Sequence, residues 1–471
     1  MPLPRPAPMT APGPAGGDML RSFGAIRRDP LRFLAEMRGR YGDVVQFPIP
    51  VPPTYLVTDP EAVRRVLVTN SRGYGKRTLQ YTTLALVTGE GLLTADTEAW
   101  REQRTLVQPA FHRASLELVG GHVRTAVDRL LGRWSACDGS VVDVDEAMMH
   151  LALEVVGSSL FGSDLSGDAE RLADATLSAL DVVVKKARSP LPVPVWVPTP
   201  TNVVLRRAVR KLDGAVEAML VERARRPLPE GAPPRDMLDL LLAAHGEDRS
   251  RLSRAQVRDQ VVTFIVAGHE TVASALTWAW HLLATNPGAL ARLRAEVDAV
   301  RPDGAVCFGD LARLPWTAAV LDETLRLYPP AWLVTRRSLA ADVLGGVQVP
   351  AGSLVIISPW LVHRDAGAWD VPERFDPTRF LDVDGGRRRD VVASPAYLPF
   401  GAGPRLCIGR DMALLEGVLV LASLAARVEL EPVGAPPRAV PLVTVRPADG
   451  LPMRVHLRAS AISAGGPQPR P

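Results

Sequence analysis

The sequence predicts a mainly α-helical protein with a small β region, folded as a single domain. Three observations support this prediction. Helical patterns follow one another from Ser115 to Leu327, the strand patterns are short, and no internal stretch has the composition of a linker. The longest helical pattern, Ser253–Thr285, is stopped by Asn286-Pro287. With 47% hydrophobic residues among 471, the chain can bury a sizeable core.

The elements follow in order from local signals. Asp29-Pro30 begins the first helix, a β-hairpin is predicted over Val44–Phe47 and Tyr55–Val57, and Asp59-Pro60 caps the next helix. The stretch from Ser71 to Asp96 has an irregular pattern. Further helices are predicted at Glu98–Gln108, Ser115–Trp134, Asp145–Phe161, Asp168–Lys186, Asn202–Arg225, Pro287–Val300 and Trp316–Leu327. Short strands are predicted at Leu333–Arg337, at Val355–Ile357 and within Arg427–Leu457.

The ends of the chain differ in composition from its middle. Residues 1–17 are rich in Pro, Ala and Gly, and we expect them and the tail 459–471 to be disordered. The domain is therefore placed at 18–458. The longest apolar stretch, Met412–Leu430, is interrupted by charged residues, so it is read as a core helix and no transmembrane anchor is expected.

Composition excludes some classes of function. A net charge of +4 without a block of basic residues argues against nucleic-acid binding. Three cysteines give no even disulfide framework, which favours a reducing, cytoplasmic setting.

A glycine-punctuated loop, Phe400-Gly401-Ala402-Gly403-Pro404-Arg405-Leu406-Cys407-Ile408-Gly409, precedes a helical segment. Its glycines allow backbone N–H groups to turn toward the Cys407 sulfur, and the helix starting near Ile408 would place its positive end beside a thiolate. Arg405 could pair with a buried anion, and a Cys thiolate is a known haem ligand. The alternative is an ordinary buried cysteine. Zinc is disfavoured because no second ligand lies nearby.

The segment Ala267-Gly268-His269-Glu270-Thr271 lies inside the longest predicted helix. Gly268 costs about 1 kcal/mol relative to alanine there, and a local opening at this residue would admit O2 and water. Thr271 could hydrogen-bond bound oxygen while Glu270 supplies protons. The alternative is a packing glycine beside an exposed glutamate. His269 is expected to be structural.

Two pairs share a helical face. Glu323 and Arg326, at i and i+3, can form an ion pair. Trp100 and Arg104, at i and i+4, present an indole N–H and a guanidinium that can both reach a carboxylate, such as a haem propionate. Each arginine could instead be a solvated surface charge.

Together these motifs resemble those of the cytochrome P-450 superfamily. Every fixed position of its haem-binding signature is matched, by Phe400, Gly403, Arg405, Cys407 and Gly409. The glycine–acid–alcohol segment, Glu323-Thr324-Leu325-Arg326 and Pro372-Glu373-Arg374-Phe375 follow the family order. The likeness extends from about residue 29 to about residue 458.

The resemblance implies a cytochrome P-450 fold enclosing one haem b, with Cys407 as the iron ligand and Glu270 and Thr271 as the catalytic acid–alcohol pair. The haem contacts that it implies are Trp100, Arg104, Ala267, Gly268, Arg336, Phe400, Gly401, Arg405, Cys407 and Gly409. Arg337, beside Arg336, could be the true propionate contact. A buried triad of Glu323, Arg326 and Arg374 is implied behind the haem, with an architectural role.

The implied reaction is a monooxygenation, in which one atom of O2 enters the substrate and the other leaves as water. By resemblance the substrate pocket includes Phe264, Trp332, Val334 and Val443, although each could equally be ordinary core. Because these residues are apolar, we expect a hydrophobic small molecule such as a terpenoid, a fatty acid, a steroid-like compound or a polyketide. The loop Leu191–Val197 is a candidate lid.

Electrons are expected from a separate ferredoxin or flavodoxin with its reductase, docking on the Cys407 side near Arg101, Arg113 and Arg410. Two alternatives remain open. The first is a peroxide-driven or redox-neutral haem-thiolate enzyme, which usually lacks the acid–alcohol pair. The second is a non-catalytic haem-binding protein.

Overall fold

A computed structural model describes residues 9–49, 52–162, 169–187, 193–229, 232–245 and 252–458. Helices dominate and the sheets are small, as predicted. The helices are α1 Gly16–Arg28, α2 Pro30–Tyr41, α3 Pro60–Arg64, α4 Leu79–Thr88, α5 Thr97–Val107, α6 Arg113–Ser135, α7 Val144–Phe161, α8 Ala169–Ala187, α9 Pro200–Arg225, α10 Met237–Ala243, α11 Arg254–Thr285, α12 Pro287–Val300, α13 Pro315–Leu327, α14 Pro359–Val362, α15 Arg389–Val392 and α16 Arg410–Arg427. The strands are β1 Val44–Phe47, β2 Thr54–Val57, β3 Tyr74–Gly75, β4 Val141–Asp143, β5 Val334–Ser338, β6 Asp342–Leu344, β7 Val347–Val349, β8 Leu354–Ile357, β9 Val428–Pro432, β10 Ala439–Pro441, β11 Val445–Pro447 and β12 Pro452–Leu457.

The largest sheet has the strand order β1-β2-β8-β5-β3. The predicted hairpin β1–β2 is confirmed, with Val44 opposite Val57. Strands β2 and β8 are parallel, whereas β8 and β5 are antiparallel with Arg336 opposite Val355. Because side chains alternate along a strand, this register sends Arg336 and Arg337 to opposite faces of the sheet.

Helix α11 is the central element of the helical part. It begins after Ser253, whose side chain forms a capping box with Gln256, and it ends before Pro287, which cannot continue the helix. It packs along α7 inside the largest hydrophobic cluster. Its length and apolar composition would suit a membrane span, but 83% of that window is buried inside the protein. The helix is therefore part of the core.

The prediction of a disordered stretch over residues 1–17 is wrong for its second half. Residues 1–8 lie outside the described part of the chain, but Thr10 bonds to Tyr55 and to the Gln348 carbonyl, and Ala11 is buried. Helix α1 begins at Gly16. Composition alone missed these contacts because they depend on distant residues of the sheet. The tail 459–471 lies outside the described residues.

The interpretation of the Ser71–Asp96 stretch as irregular also needs correction. It contains α4, which the sequence analysis did not predict because neither terminus carries a side-chain cap and its apolar residues do not form one clear stripe. Leu84 and Val87 of this helix join the largest hydrophobic cluster, and α4 packs against α8 and α11. Tertiary packing, more than local propensity, stabilises this helix.

Candidate active site

The loop before α16 has the turn that its glycines predicted. Gly401 and Gly403 have φ angles of 72° and 70°, a region that favours glycine. A Cβ on Gly403 would lie 2.0 Å from the Leu67 carbonyl oxygen, so the loop could not approach that segment with any other residue. The Cys407 N–H closes the loop by donating to the Phe400 carbonyl at 3.0 Å.

Cys407 is exposed as a residue, but many protein atoms lie around its sulfur. The resulting loss of hydration raises the pKa of the thiol. Four groups oppose that shift: the Gly409 N–H, which hydrogen-bonds to the sulfur, and the cations Arg104, Arg410 and Lys76. Helix α16 begins one residue after Gly409, so its positive end lies beside the sulfur. These contacts partly offset the effect of burial, and a metal cation bound to the sulfur would favour the thiolate further.

Four basic side chains beside this loop each interact with Cys407 or with another member of the group. They are Lys76, Arg104, Arg336 and Arg405. Asp96 is the one carboxylate that any of them hydrogen-bonds to within the described residues, and it accepts from the Arg405 guanidinium at 2.7 Å. The group therefore carries an uncompensated positive charge in a largely buried place, which calls for an anionic partner.

Trp100 and the two arginines expected near it do meet. The Arg405 guanidinium carbon lies 4.6 Å from the centre of the Trp100 ring, and that of Arg104 lies 6.0 Å from it. Arg104 also donates to the Leu406 carbonyl at 2.7 Å, which joins α5 to the Cys407 loop. The i, i+4 spacing on α5 thus brings both side chains to one place, as predicted.

The register of β5 gives Arg336 and Arg337 different surroundings. Arg336 is 7% exposed and donates to the Tyr81 hydroxyl at 3.3 Å, within the cationic group. Arg337 is exposed on the opposite face. This placement favours Arg336 as the propionate contact.

Lys76 and Tyr81 belong to this site, and sequence reasoning missed both. Lys76 is 7% exposed, its ammonium donates to the Leu93 carbonyl at 2.8 Å, and it lies 4.6 Å from the centre of the Tyr81 ring. Burial and the neighbouring Arg336 and Arg405 hold the pKa of Lys76 well below its usual range. The available signal was a lysine five residues before a tyrosine, which is too common a pattern to stand out.

Helix α11 has three partly exposed residues in an otherwise buried stretch. Between Val261 and Trp280, the partly exposed residues are Ala267, Gly268 and Thr271. The resemblance assigned Ala267 and Gly268 to haem contact and Thr271 to the catalytic acid–alcohol pair. The Thr271 hydroxyl donates to the Ala267 carbonyl at 2.7 Å, a type of bond that often bends a helix.

Gly268 also has the packing role that was its alternative interpretation. A Cβ at this position would lie 2.8 Å from a methyl carbon of Val156 on α7. The two roles are compatible because the residue contacts α7 while it remains partly exposed. His269 is fully buried and bonds to the Ile265 carbonyl, as a structural residue would.

Glu270 was expected either to supply protons or to be exposed, and the structure excludes exposure. Its side chain is 2% exposed, and its Oε1 accepts a hydrogen bond from the Thr444 hydroxyl at 2.9 Å. Burial raises the pKa of its carboxyl, against the opposing effects of Arg446 and Thr444. A carboxyl whose pKa is raised in this way is a better proton donor than an exposed glutamate.

The four residues expected to contact substrate have different surroundings. Phe264 is buried with its ring centre 5.7 Å from that of Phe111, which favours the core alternative for this residue. Trp332, Val334 and Val443 are partly buried, and the Trp332 indole donates to the Leu442 carbonyl at 2.9 Å. Two residues of the candidate lid, 191 and 192, lie outside the described residues.

The expected triad behind the haem contains a different arginine. Glu323 and Arg326 are fully buried and form a two-bonded pair at 2.6 and 2.8 Å. The Arg374 side chain, however, is 57% exposed and pairs with Asp376, so its assignment to the triad is wrong. The Nε of Arg379, five residues later, lies 3.4 Å from Glu323 Oε1, which also accepts a hydrogen bond from Arg326. Arg379 lies in the short 3-10 helix Pro377–Phe380, whose position sequence spacing alone could not indicate.

A haem fits the residues of this site. Its two propionates would supply anionic partners for the guanidinium groups of Arg104 and Arg336, while Arg405 already bonds to Asp96. The resemblance also assigns Ala267 and Gly268, on the partly exposed face of α11, to this site. The chemistry of these residues therefore matches an anionic, planar, iron-bearing group.

Comparison with known proteins identifies a family model and relatives that match most of the chain. A family model described as cytochrome P-450 matches residues 8–449. The chain is 35% identical to pentalenene oxygenase of Streptomyces avermitilis, over 93% of this chain and 95% of that protein. It is 36% identical to cyclooctat-9-en-7-ol 5-monooxygenase of Streptomyces melanosporofaciens, with 90% of each chain covered.

Solved structures agree with the sequence comparison. The crystal structure of CYP175A1 from Thermus thermophilus has a TM-score of 0.76 and 32% identity, and the match covers 94% of this chain and all of the other. A six-coordinated cytochrome P-450, also from Thermus thermophilus, has a TM-score of 0.70 and 33% identity, with 91% of this chain and 98% of the other covered.

Proposed function

The chain belongs to the cytochrome P-450 family, and from that premise we propose that Cys407 is the thiolate ligand of its haem iron. The family implies a haem-thiolate cofactor. The observation that carries the assignment is the buried group of four cations around the Cys407 loop with Asp96 as its hydrogen-bonded carboxylate. The cofactor is proposed to be haem b, one per chain, with its propionates bound by Trp100, Arg104, Arg336 and Arg405.

The chain is an oxidoreductase, a monooxygenase that acts on hydrophobic small molecules with O2 and a redox partner. A bound haem supplies the iron at which O2 is reduced and split. The residues of the chain have separate tasks. With haem bound, the Cys407 thiolate would tune the iron, the small residues Ala267 and Gly268 would leave space for O2, and the Thr271 hydroxyl with the Glu270 carboxyl would move protons.

The proposed substrate is a terpenoid. The partly buried residues Trp332, Val334 and Val443 are apolar, which favours a hydrocarbon skeleton over a charged substrate. The relatives named above include an oxygenase of pentalenene and a monooxygenase of cyclooctat-9-en-7-ol. Fatty acids, steroid-like compounds and polyketides are the competing classes.

The proposed electron donor is a ferredoxin, or a flavodoxin, with its reductase. Arg101 and Arg113 are exposed on α5 and at the start of α6, and Arg410 begins α16 directly after the Cys407 loop. Replacing Arg101 and Arg113 by glutamate should slow reduction by the ferredoxin and weaken its salt dependence. Arg207→Glu, on exposed α9, is the matched control. Equal reduction rates in all variants would contradict docking at these arginines.

The haem domain is proposed to be residues 18–458, and the contacts of Thr10 support extending it to residue 9. The cytoplasm is the proposed location, because Cys137, Cys307 and Cys407 are all free. A peroxide-driven enzyme is the second candidate function. The partly exposed Thr271 beside Gly268 favours the O2-dependent reaction over it.

The experiment that tests the substrate class uses the haem-loaded full chain. Cyclic terpenes, fatty acids, a steroid and a polyketide lactone are titrated while the ferric spin state is recorded. We expect terpenes to displace the iron-bound water and to give products that carry one atom of labelled O2 with a ferredoxin system. Turnover with peroxide alone, or a spin shift only with another class, would contradict the proposal.

A further inference from the structure

The hairpin of β10 and β11 is attached to one face of α11. The Ser274 hydroxyl and the Trp278 indole both donate to the Val445 carbonyl, at 2.7 and 2.8 Å. One turn earlier, Glu270 accepts from Thr444 at 2.9 Å. Residues 270, 274 and 278 are spaced by four, so they form a single row along the helix. Thr444 thus makes the bond of this row that lies nearest the tip of the hairpin.

The base of the same hairpin is anchored by charge. The Arg446 guanidinium pairs with the Asp145 carboxylate of α7, which also accepts from the Thr277 hydroxyl at 2.9 Å. All three side chains are buried. A buried, hydrogen-bonded ion pair is costly to break, whereas the bond between Thr444 and Glu270 uses a neutral hydroxyl. The base is therefore firmly held and the bond at the tip is the easier one to break.

The tip itself carries residues that we expect to meet substrate. Val443 is next to Thr444, and the Leu442 N–H donates to the Thr444 carbonyl at 2.9 Å, which makes the turn compact. The Trp332 indole donates to the Leu442 carbonyl at 2.9 Å. A ligand that pushes on Val443 or Trp332 therefore acts on a short, hydrogen-bonded segment that ends at Thr444.

We propose that Thr444 is a positioning residue for Glu270, and that it couples the place of the substrate-contacting hairpin tip to proton delivery. This inference rests on the proposed acid–alcohol pair. With the tip in place, the Thr444 hydroxyl holds the Glu270 carboxyl against the hairpin. Movement of the tip by substrate releases the carboxyl, which turns toward the Thr271 side, gives up one proton and regains it from water.

The charges around Glu270 are compatible with this role. Arg446 favours its carboxylate and Asp145 favours its neutral form, while burial favours the neutral form most strongly. His269, adjacent on α11, is neutral near pH 7 because burial lowers its pKa to about 4. A carboxyl that the Thr444 hydroxyl holds in place until the hairpin tip moves can act as a gated donor.

The test compares Thr444→Val, which has the same shape without the hydroxyl, with Thr444→Ser, which retains it. In Thr444→Val the substrate-free consumption of reductant should rise about two- to tenfold, the change expected for the loss of one neutral hydrogen bond. Thr444→Ser should behave as the parent. Thr277→Val removes the α11 hydroxyl that donates to Asp145, the partner of Arg446 at the base of the hairpin, and should leave substrate-free consumption unchanged.

A second measurement does not depend on turnover. The carboxyl stretch of Glu270, identified in infrared spectra by its absence from Glu270→Gln, should shift in Thr444→Val and on addition of substrate to the parent. It should not shift in Thr444→Ser or Thr277→Val. The proposal is overturned if the band of Thr444→Val is that of the parent, or if the serine and valine variants behave alike. Failure of the proposed function would give a different result from failure of this proposal. The parent protein would then lack the spectrum of a thiolate-ligated haem, regardless of the position of the infrared band.

Discussion

The two sides of the proposed haem site are built from different chemistry. The Cys407 side gathers Lys76, Arg104, Arg336 and Arg405 around a loop whose sulfur is flanked by a helix end. The α11 side has small residues and hydroxyls with one buried carboxyl, Glu270. Fixed positive charge retains an anionic cofactor, whereas hydroxyls and a carboxyl of raised pKa exchange protons. We therefore assign cofactor binding to the Cys407 side and proton transfer to the α11 side.

This comparison predicts that substitutions on the Cys407 side change cofactor retention or stability. Substitutions on the α11 side should instead change how electrons are used. The predictions below test that division, and each has a control on a residue that the structure places outside the site.

The largest effect is expected for Cys407→Ser. Loss of the sulfur removes the thiolate bond, so the carbon monoxide complex of the reduced protein should lose the red-shifted Soret band typical of thiolate ligation, and monooxygenase turnover should disappear. Cys137→Ser and Cys307→Ser are matched controls that remove the other free thiols. A parent-like spectrum in Cys407→Ser would refute the assignment of this ligand.

The next effect concerns the support behind the loop. Glu323→Gln leaves the Arg326 guanidinium buried without its counter-charge, and we expect a loss of about 3–5 kcal/mol in unfolding free energy. Arg374→Leu removes an exposed ion pair and should cost about 0–1 kcal/mol. Denaturant unfolding, followed by both haem absorbance and circular dichroism, gives the two values. The corrected triad is wrong if Arg374→Leu costs more than Arg379→Leu.

A smaller effect separates the two adjacent arginines of β5. Removing a charged hydrogen bond to a propionate by Arg336→Leu should speed haem loss about ten- to a hundredfold. Arg337→Leu, on the exposed face, should leave that rate within about twofold, the range of an exposed charge. Transfer of haem to an excess of apomyoglobin measures the rate. The reverse order of the two variants would assign the contact to Arg337.

The smallest effect is a pH dependence with one buried histidine on each side. His363 links the Arg326 carbonyl to the Leu398 N–H on the Cys407 side, and burial lowers its pKa to about 3. His269 lies on α11, with a pKa of about 4. Both stay neutral in the fold but are protonated in the unfolded chain below about pH 6.5. Stability is therefore full above that pH and falls as the pH drops toward these values.

As the pH falls from about 7 to about 5.5, each buried histidine should lower the free energy of unfolding of the parent by about 1.4 kcal/mol. His363→Gln and His269→Gln should each flatten this part of the stability curve, as recorded by thermal unfolding midpoints. Only His363→Gln should also speed haem loss, because only His363 supports the Cys407 loop. His456→Gln, an exposed position, is the control. Parallel curves for parent and both buried variants would contradict the prediction.

Local sequence patterns predicted much of this protein. The capping signals of α11, the hairpin of β1 and β2, and the i, i+4 pair Trp100 and Arg104 each depend on residues close together in the chain. The haem-binding signature around Cys407 carried the family resemblance, and family comparison confirms it. These features were predictable because backbone geometry fixes which near neighbours share a face.

Other features required the folded chain. Lys76 lies near Arg405, more than three hundred residues later in the chain. Arg379, and not Arg374, has its side chain beside Glu323. Thr444 donates to Glu270 from a distant part of the sequence. Helix α4 forms where its local signals are weak. By itself the sequence determined the helical class and the chemistry around Cys407. Which distant charges and hydroxyls meet was decided only by tertiary packing, because such contacts depend on how whole elements are placed and leave no periodic trace in the chain.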